Sequence, residues 1–257
     1  MLIVNAVSKR YGKQEVLNKI SFKIGNGECV SLVGESGSGK STLGRLVLGL
    51  EKSSSGSIYW DDKNIENMKK RELFRTIQPV FQDNTGCFNP RMKVIESLTE
   101  PMKYLLHIKK DLRNSKAKEL LEAVGLPKDI GERFPHELSG GQRKRICIAR
   151  AISIQPKLIL LDEAVTGLDV TIMITILDLL KKLQKSMGCT YLFITHDLCA
   201  ALYMSQKIAV MKNGKIIEMT SKLHSLSDFT HPYSKKLWQA ETINKLKSGG
   251  KYERTCK

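Results

Sequence analysis

The chain predicts an α/β fold: a parallel core sheet, an N-terminal antiparallel β layer and an inserted α-helical subdomain. Three observations carry this. Cys29–Val33, Lys157–Leu161 and Cys189–Thr195 are continuous apolar runs that read as buried parallel strands. Two strand-like stretches, Leu2–Val7 and Val16–Ile24, come before the first of them. From Lys93 to about Val124 the texture changes to lysine-rich helix, which opens an insertion running to about Ile154.

The elements follow in order. Leu2–Val7 alternates poorly but is apolar enough for a strand, and Ser8-Lys9-Arg10-Tyr11-Gly12 reads as a turn. In Val16–Ile24, Leu17, Ile20, Phe22 and Ile24 are apolar, and Gly25-Asn26-Gly27 ends the strand. A hairpin-like pairing of the two is the simplest layer. Tyr11 is expected near the mouth of the next loop. A flat aromatic there can stack on a purine or simply pack on a sheet edge, and the residues leave both open. Cys29–Val33 then runs into Gly34-Glu35-Ser36-Gly37-Ser38-Gly39-Lys40-Ser41-Thr42, which matches G-x-x-x-x-G-K-[ST], the phosphate-binding P-loop. Leu43, Leu46, Val47 and Leu50 recur behind it at i, i+3, i+4 and i+7, a helix face. Gly34, Gly37 and Gly39 let the backbone curl so that loop and helix N–H groups meet one anion. Lys40 adds a full charge for β- and γ-phosphates, and the Ser41 hydroxyl is placed to bind Mg²⁺.

Beyond that helix, Ser53–Gly56 is a loop and Ser57–Trp60 a short strand closed by Asp61-Asp62-Lys63-Asn64. Ile77–Gln82 is another short strand, broken by Asp83–Gly86 and Asn89-Pro90. Within the helical insertion, Gly125-Leu126-Pro127 and Gly131–Pro135 are loops. Leu138-Ser139-Gly140-Gly141-Gln142 opens a helix with Ser139 as N-cap, and its two glycines expose N–H groups to an anion. Lys157–Leu161 ends in Asp162-Glu163, which places two carboxylates at the carboxyl edge of the sheet, beside the P-loop. Asp162 suits Mg²⁺ through its water shell, and Glu163 suits polarising a water for in-line attack on a γ-phosphate. Gly167-Leu168-Asp169 is a turn, followed by a helix with Ile172, Ile176, Leu179, Leu180 and Leu183 on one face. Cys189–Thr195 ends in His196-Asp197 at the same edge, where His196 can reach a γ-phosphate. Lys207–Met211, Asn213-Gly214 and Lys215–Met219 form a hairpin with a type I′ signal.

Composition bounds the rest. At 257 residues, with 41% hydrophobic and 26% charged content, the chain suits one large α/β domain, or one domain with a subdomain. The start lacks a basic n-region with a long apolar core, and no run approaches the roughly 18 residues needed to cross a bilayer, so a cytosolic chain is expected. Six scattered cysteines with no C-x-x-C pair point to reduced thiols and away from zinc or iron–sulfur sites. The net charge of +16 fits a lysine-rich surface, nucleic acid, or an anionic membrane face. No aromatic-interleaved basic patch or nucleic-acid motif accompanies it, so no nucleic acid partner is expected.

The ordered set resembles the nucleotide-binding subunit of ATP-binding-cassette transporters, from Leu2 to about Ala240. Tyr11 matches the A-loop aromatic, GESGSGKS the Walker A, Gln82 the Q-loop and LSGGQ the signature. Leu160–Glu163 matches the Walker B strand and catalytic glutamate, Leu168-Asp169 the D-loop and His196 the H-switch. The resemblance implies a P-loop NTPase with a RecA-like core that binds ATP and Mg²⁺. In it, Ser41, Gln82 and Asp162 serve the metal, and Glu163, His196 and Gln82 serve hydrolysis. Two such domains would pair head to tail. ATP would lie between Tyr11 and Gly34–Thr42 of one chain and Ser139–Gln142 and Asp169 of the other. The implied partners are a second ATP-binding subunit, two transmembrane permease subunits and, indirectly, an extracytoplasmic substrate-binding protein. The implied place is the cytoplasmic face of the membrane.

FNPR, FPHELSGGQRKR and HPYSKKLWQA look like the ATPases of peptide and nickel importers. EPMKYLL and LLDEAVTGLDV, with Ala164 where most of the family has Pro, look closest to the nickel-import second subunit, with metal–metallophore importers near. Di- or oligopeptide is the alternative cargo. A soluble cassette acting on nucleic acid or ribosomes is the rival class, but this chain shows neither a second cassette nor sustained heptads. Many relatives carry a cysteine-rich tail. This sequence offers only Cys256 there, so no cluster is carried over. The basic tail, residues 241–257, is expected to be disordered.

Overall fold

A computed structural model describes residues 1–82, 85–221 and 228–247, with 85 and 241–247 as backbone only. The strands are β1 Leu2–Tyr11, β2 Gln14–Ile24, β3 Cys29–Val33, β4 Ser55–Trp60, β5 Lys63–Asn64, β6 Ile77–Val80, β7 Leu158–Asp162, β8 Thr190–Ile194, β9 Lys207–Lys212 and β10 Lys215–Thr220. The helices are α1 Lys40–Val47, α2 Lys70–Thr76, α3 Val94–Leu106, α4 Lys110–Ala123, α5 Gly140–Ile152, α6 Val170–Met187, α7 Leu198–Met204 and α8 Pro232–Lys247. The strands make two sheets, β2-β1-β4-β5 and β10-β9-β3-β8-β7-β6. The first is antiparallel. In the second, β9, β3, β8, β7 and β6 run parallel, with β10 antiparallel at one edge.

Alternation along the parallel strands builds two cores. Leu158, Leu160, Leu192 and Ile194 face the antiparallel sheet and α1, with Leu17, Ile20, Leu43 and Leu46. Ile159, Leu161, Tyr191 and Phe193 face the other way, onto Ile176, Leu180, Ile148 and Leu98. Continuous apolar runs are needed because both faces are covered, and each large side chain buried contributes about 1.5–3 kcal/mol. Gly44 lets α1 approach closely: a Cβ there would lie 3.1 Å from Ile194 Cδ1 and 3.3 Å from Leu160 Cδ1. Among the described residues, no helix is long and apolar enough to cross a membrane.

Four local expectations are corrected. The turn expected at 8–12 is strand as far as Tyr11, which pairs with Gln14 across a tight Gly12 turn (φ 57°). β1 alternates poorly because its register shifts between Val4 and Lys9, with Ala6 at φ 47°. Leu50 is not on the face of α1: the helix stops at Val47, Gly49 turns left-handed (φ 64°), and Leu50 is exposed. The lysine-rich helix is two helices, α3 and α4, separated at His107 (φ 55°). β6 ends at Val80, so Phe81 and Gln82 lie beyond the strand. The hairpin turn has the expected geometry, with Asn213 at φ 47° and Gly214 at φ 72°. In the tail, α8 continues through Lys247, and 248–257 lie outside the described residues.

Candidate functional site

Residues 34–42 join the carboxyl end of β3 to α1, at the centre of the parallel sheet. Gly34 has φ 153°, and a Cβ there would sit 2.3 Å from the Met211 carbonyl oxygen. Gly39 has φ 105°, and its Cβ would meet Leu17 Cδ2 at 2.7 Å. Only glycine allows the loop to curl this tightly against β2 and β9. The Gly214 amide donates to the Ser38 carbonyl at 3.1 Å and holds the loop from the β9–β10 turn. Glu35, Ser36, Gly37 and Ser41 are exposed, whereas Ser38, Gly39, Lys40 and Thr42 are buried. The Lys40 ammonium donates to the Gly34 carbonyl (2.7 Å) and the Glu35 carbonyl (2.9 Å). Burial draws its pKa down, opposed by the nearby charges of Glu163, Asp162 and Glu35.

The carboxylates come from the next strand but one. Asp162 is in register with Ile194, so the chain leaves β7 and β8 side by side. The Glu163 amide donates to the Ile194 carbonyl at 2.8 Å, and Glu163 itself is left-handed (φ 48°). That unusual backbone turns its side chain toward His196, whose Nδ1 lies 3.5 Å from Glu163 Oε1. Asp162 Oδ1 is buried and has no hydrogen-bond partner. Burial raises its pKa first and Glu163 second, while Lys40, Arg45 and a hydrogen bond with Ser41 pull it back. A buried, unpartnered carboxylate oxygen beside a serine hydroxyl fits a hydrated Mg²⁺, a hard cation that takes oxygen ligands and keeps its waters.

Tyr11, at the end of β1, has partners of its own. Its hydroxyl donates to the Glu51 carboxylate, and the Lys9 ammonium lies 5.0 Å from the ring centroid. Glu51 also accepts from Arg45 Nε at 2.8 Å, and Arg45 reaches Thr42 Oγ1 at 3.2 Å. The aromatic is thereby linked to the P-loop through two residues that sequence reasoning missed. Arg45 and Glu51 carried no periodic signal there, being exposed or half-exposed side chains at a helix end.

Among the described residues, three expected groups share no hydrogen bond or ion pair with this cluster. The Ser139 hydroxyl accepts from the Gln142 amide (3.2 Å), and the Gln142 side chain accepts from the Ser139 amide (2.9 Å), a reciprocal cap on α5. Gly140 and Gly141 stand in the first turn behind this cap. Asp169 is exposed just before α6. Among the described residues, no hydrogen bond or ion pair joins these to Lys40, Asp162 or Glu163. Gln82 is exposed beyond β6. Its segment is gripped by buried Lys144 of α5, which donates to the Phe81 carbonyl at 2.8 Å and lies 3.4 Å from that of Gln82. Lys144 was also missed. The available signal was its place one turn before Ile148 on the apolar face of α5.

The ABC transporter family model matches residues 17–166. The nickel import ATP-binding protein NikE of Escherichia coli O157:H7 is 46% identical over 214 residues, 82% of this chain and 80% of that protein. A Brucella abortus (strain 2308) protein, provisionally named as a peptide import ATP-binding protein, is 44% identical over 225 residues, 86% of this chain and 67% of its own. Among solved structures, the dimeric post-hydrolysis state of the ATP-binding cassette MJ0796, bound to ADP and Pi, aligns with a TM-score of 0.76 at 30% identity. That alignment covers 86% of this chain and 98% of the other. Clostridium perfringens cbiO1, part of the ABC transporter complex cbiONQ, aligns with a TM-score of 0.79 at 28% identity over 96% of this chain and 94% of its own. With the P-loop, the paired carboxylates and the strand-end histidine on one sheet edge, this chain belongs to the ABC transporter family and is one of its ATP-hydrolysing cassettes.

Proposed function

We propose that this cassette powers import of nickel or a related metal complex through a membrane permease. The observation that carries the cargo is the 46% identity to the nickel import protein across most of both chains. Di- or oligopeptide import is the second reading, favoured by the 44% identity to the Brucella protein. Cargo does not touch the ATPase residues, so the site geometry bears on hydrolysis alone.

In this reading Tyr11 holds the purine, and the amides of residues 34–42 with Lys40 hold the β- and γ-phosphates. Lys40 exchanges its hydrogen bonds to the Gly34 and Glu35 carbonyls for phosphate oxygens. Ser41, Asp162 and Gln82 would hold Mg²⁺, which would supply positive charge against that of the phosphates. Glu163 takes the proton of the attacking water, and His196, 3.5 Å from it, steers that carboxylate and reaches toward the γ-phosphate. The exposed start of α5, with Ser139–Gln142 and Asp169, faces the nucleotide of a second ATP-binding subunit. Two dimeric cassette structures among the similar folds support such pairing. Two permease subunits receive the motion through the Gln82 segment and the helices between 94 and 152, which we read as an inserted subdomain. A substrate-binding protein delivers cargo from the other side, and the cassette sits peripherally on the cytoplasmic face of the membrane.

The test replaces Glu163 with Gln. Losing a general base costs on the order of 10²–10⁴ in turnover while ATP still binds. Cells lacking this chain, complemented with wild type or Glu163→Gln, are followed for labelled nickel, cobalt and dipeptide uptake. Nickel or cobalt uptake that depends on Glu163 supports the proposal. Dependence of dipeptide uptake alone transfers the cargo to the second reading. Wild-type turnover by the variant removes Glu163 from the base role.

A further inference from the structure

Helix α5 presents one face, at i, i+3 and i+6, to the chain that follows β6. Lys144 grips the Phe81 carbonyl at 2.8 Å, and Arg150 donates to the Cys87 carbonyl at 2.9 Å. Cys147 stands midway between them. It and Cys87 line one cavity of about 340 Å³, together with Phe81, Glu100, Tyr104 and Arg150. Arg150 also pairs with Glu100 at 2.9 Å, which fixes the guanidinium over this contact. The Cys147 thiol is hydrogen-bonded to the Cys87 sulfur. Cys87 is half-buried at the cavity wall, and Cys147 is only 5% exposed.

We infer that Cys87 and Cys147 form an oxidisable dithiol, a modification site that converts the Lys144–Arg150 grip on the Gln82 segment into a covalent staple. Their roles are unequal. The hydrogen bond to Cys87, and then burial, push the Cys147 thiol up, whereas Cys87 is the more exposed of the two and is the one an oxidant meets first. With a peroxide as oxidant, the Cys87 thiolate attacks one peroxide oxygen, the O–O bond breaks, and Cys87 becomes a sulfenic acid. The Cys147 sulfur then attacks the Cys87 sulfur and releases water as the S–S bond forms. Two thiols are oxidised, one peroxide is reduced, and two waters leave. The consequence for turnover rests on the proposed role of Gln82. A staple at Cys87, five residues beyond Gln82, ties its segment to α5, whose first turn carries Ser139–Gln142.

The test uses the full chain treated with hydrogen peroxide, blocked with an alkylating agent and digested without reductant. Mass spectrometry is expected to find the Cys87 and Cys147 peptides joined, lighter by two hydrogens than the sum of the free peptides. ATP turnover is expected to fall with the yield of that species and to return with dithiothreitol. Cys87→Ser, a substitution at a half-exposed position, is expected to keep its turnover through the same treatment. Cys199→Ser with Cys256→Ser is expected to respond like wild type. Failure to find the joined peptide when Cys87 is already over-oxidised to sulfinic acid would overturn the inference. So would equal loss of turnover in Cys87→Ser. A joined peptide with undiminished turnover overturns the role given to Gln82 and leaves the disulfide standing, so the two failures are distinguishable.

Discussion

Asp162 shows at a single residue how a buried, unpartnered carboxylate burdens the fold that carries it. Its buried Oδ1 has no partner, and burial with the Glu163 charge raises its pKa above the ordinary 3.8. A folded carboxyl that holds its proton longer than the unfolded one gives a stability that is full below 3.8 and is lost as pH rises through the folded value. Asp162→Asn removes that loss. We expect the nucleotide-free variant to melt higher than wild type at neutral pH, with a flatter fall in Tm above the carboxylate range, while turnover with Mg²⁺ and ATP collapses. Thermal melts across that range, paired with a turnover assay, decide it, and a variant that melts lower refutes the account. The residue types of this cluster were legible in the sequence because strand-end acids and a G-x-x-x-x-G-K-[ST] loop are local patterns. Glu51 and Lys144 were not, because their contacts with Tyr11 and Phe81 span 40 and 63 residues and leave no local mark, and Arg45 joins the cluster only through Glu51 and Thr42.

At the scale of elements, the loop between β3 and α1 separates two kinds of glycine. Gly34 and Gly37 both have positive φ, at 153° and 80°, but a Cβ at Gly34 meets the Met211 carbonyl at 2.3 Å, whereas nothing lies within 4 Å of one at Gly37. Gly37→Ala is expected to cost only backbone strain, about 1 kcal/mol in urea unfolding. Gly34→Ala must also displace the end of β9, and is expected to cost about 3 kcal/mol or more and to lose ATP binding. Equal costs at the two positions would refute the close-approach argument. Element identity was largely readable: buried strands are continuous apolar runs, and the hairpin announced itself with Asn213-Gly214. Boundaries were less so. Leu50 fits the helical period and yet lies past Gly49, because capping geometry ended α1 before the apolar pattern did. The break at His107 lacked a glycine or proline of its own to signal it.

Across the whole molecule, the contact that matters most is the one between α5 and the chain leaving β6. Lys144 is a buried cation, 2% exposed, whose ammonium is satisfied by main-chain carbonyls of another segment. Lys144→Met keeps the apolar stem and removes the donor. We expect faster amide hydrogen exchange in β6 and at 81–82 with unchanged protection in β3 and β8, read by mass spectrometry. Uniform change across the molecule would instead mark Lys144 as a general core residue. The sequence by itself determined the class of fold and singled out the residues we propose for phosphate, metal and base roles, because loop chemistry and side-chain period are written in neighbouring residues. Only the tertiary structure decided that Glu163 meets His196, that Tyr11 is tied through Glu51 and Arg45 to Thr42, and that Cys87 meets Cys147 beneath Arg150. The reason is that strand order and helix docking set those meetings. Burying two faces of one sheet fixes them collectively, and no window of the chain contains that information.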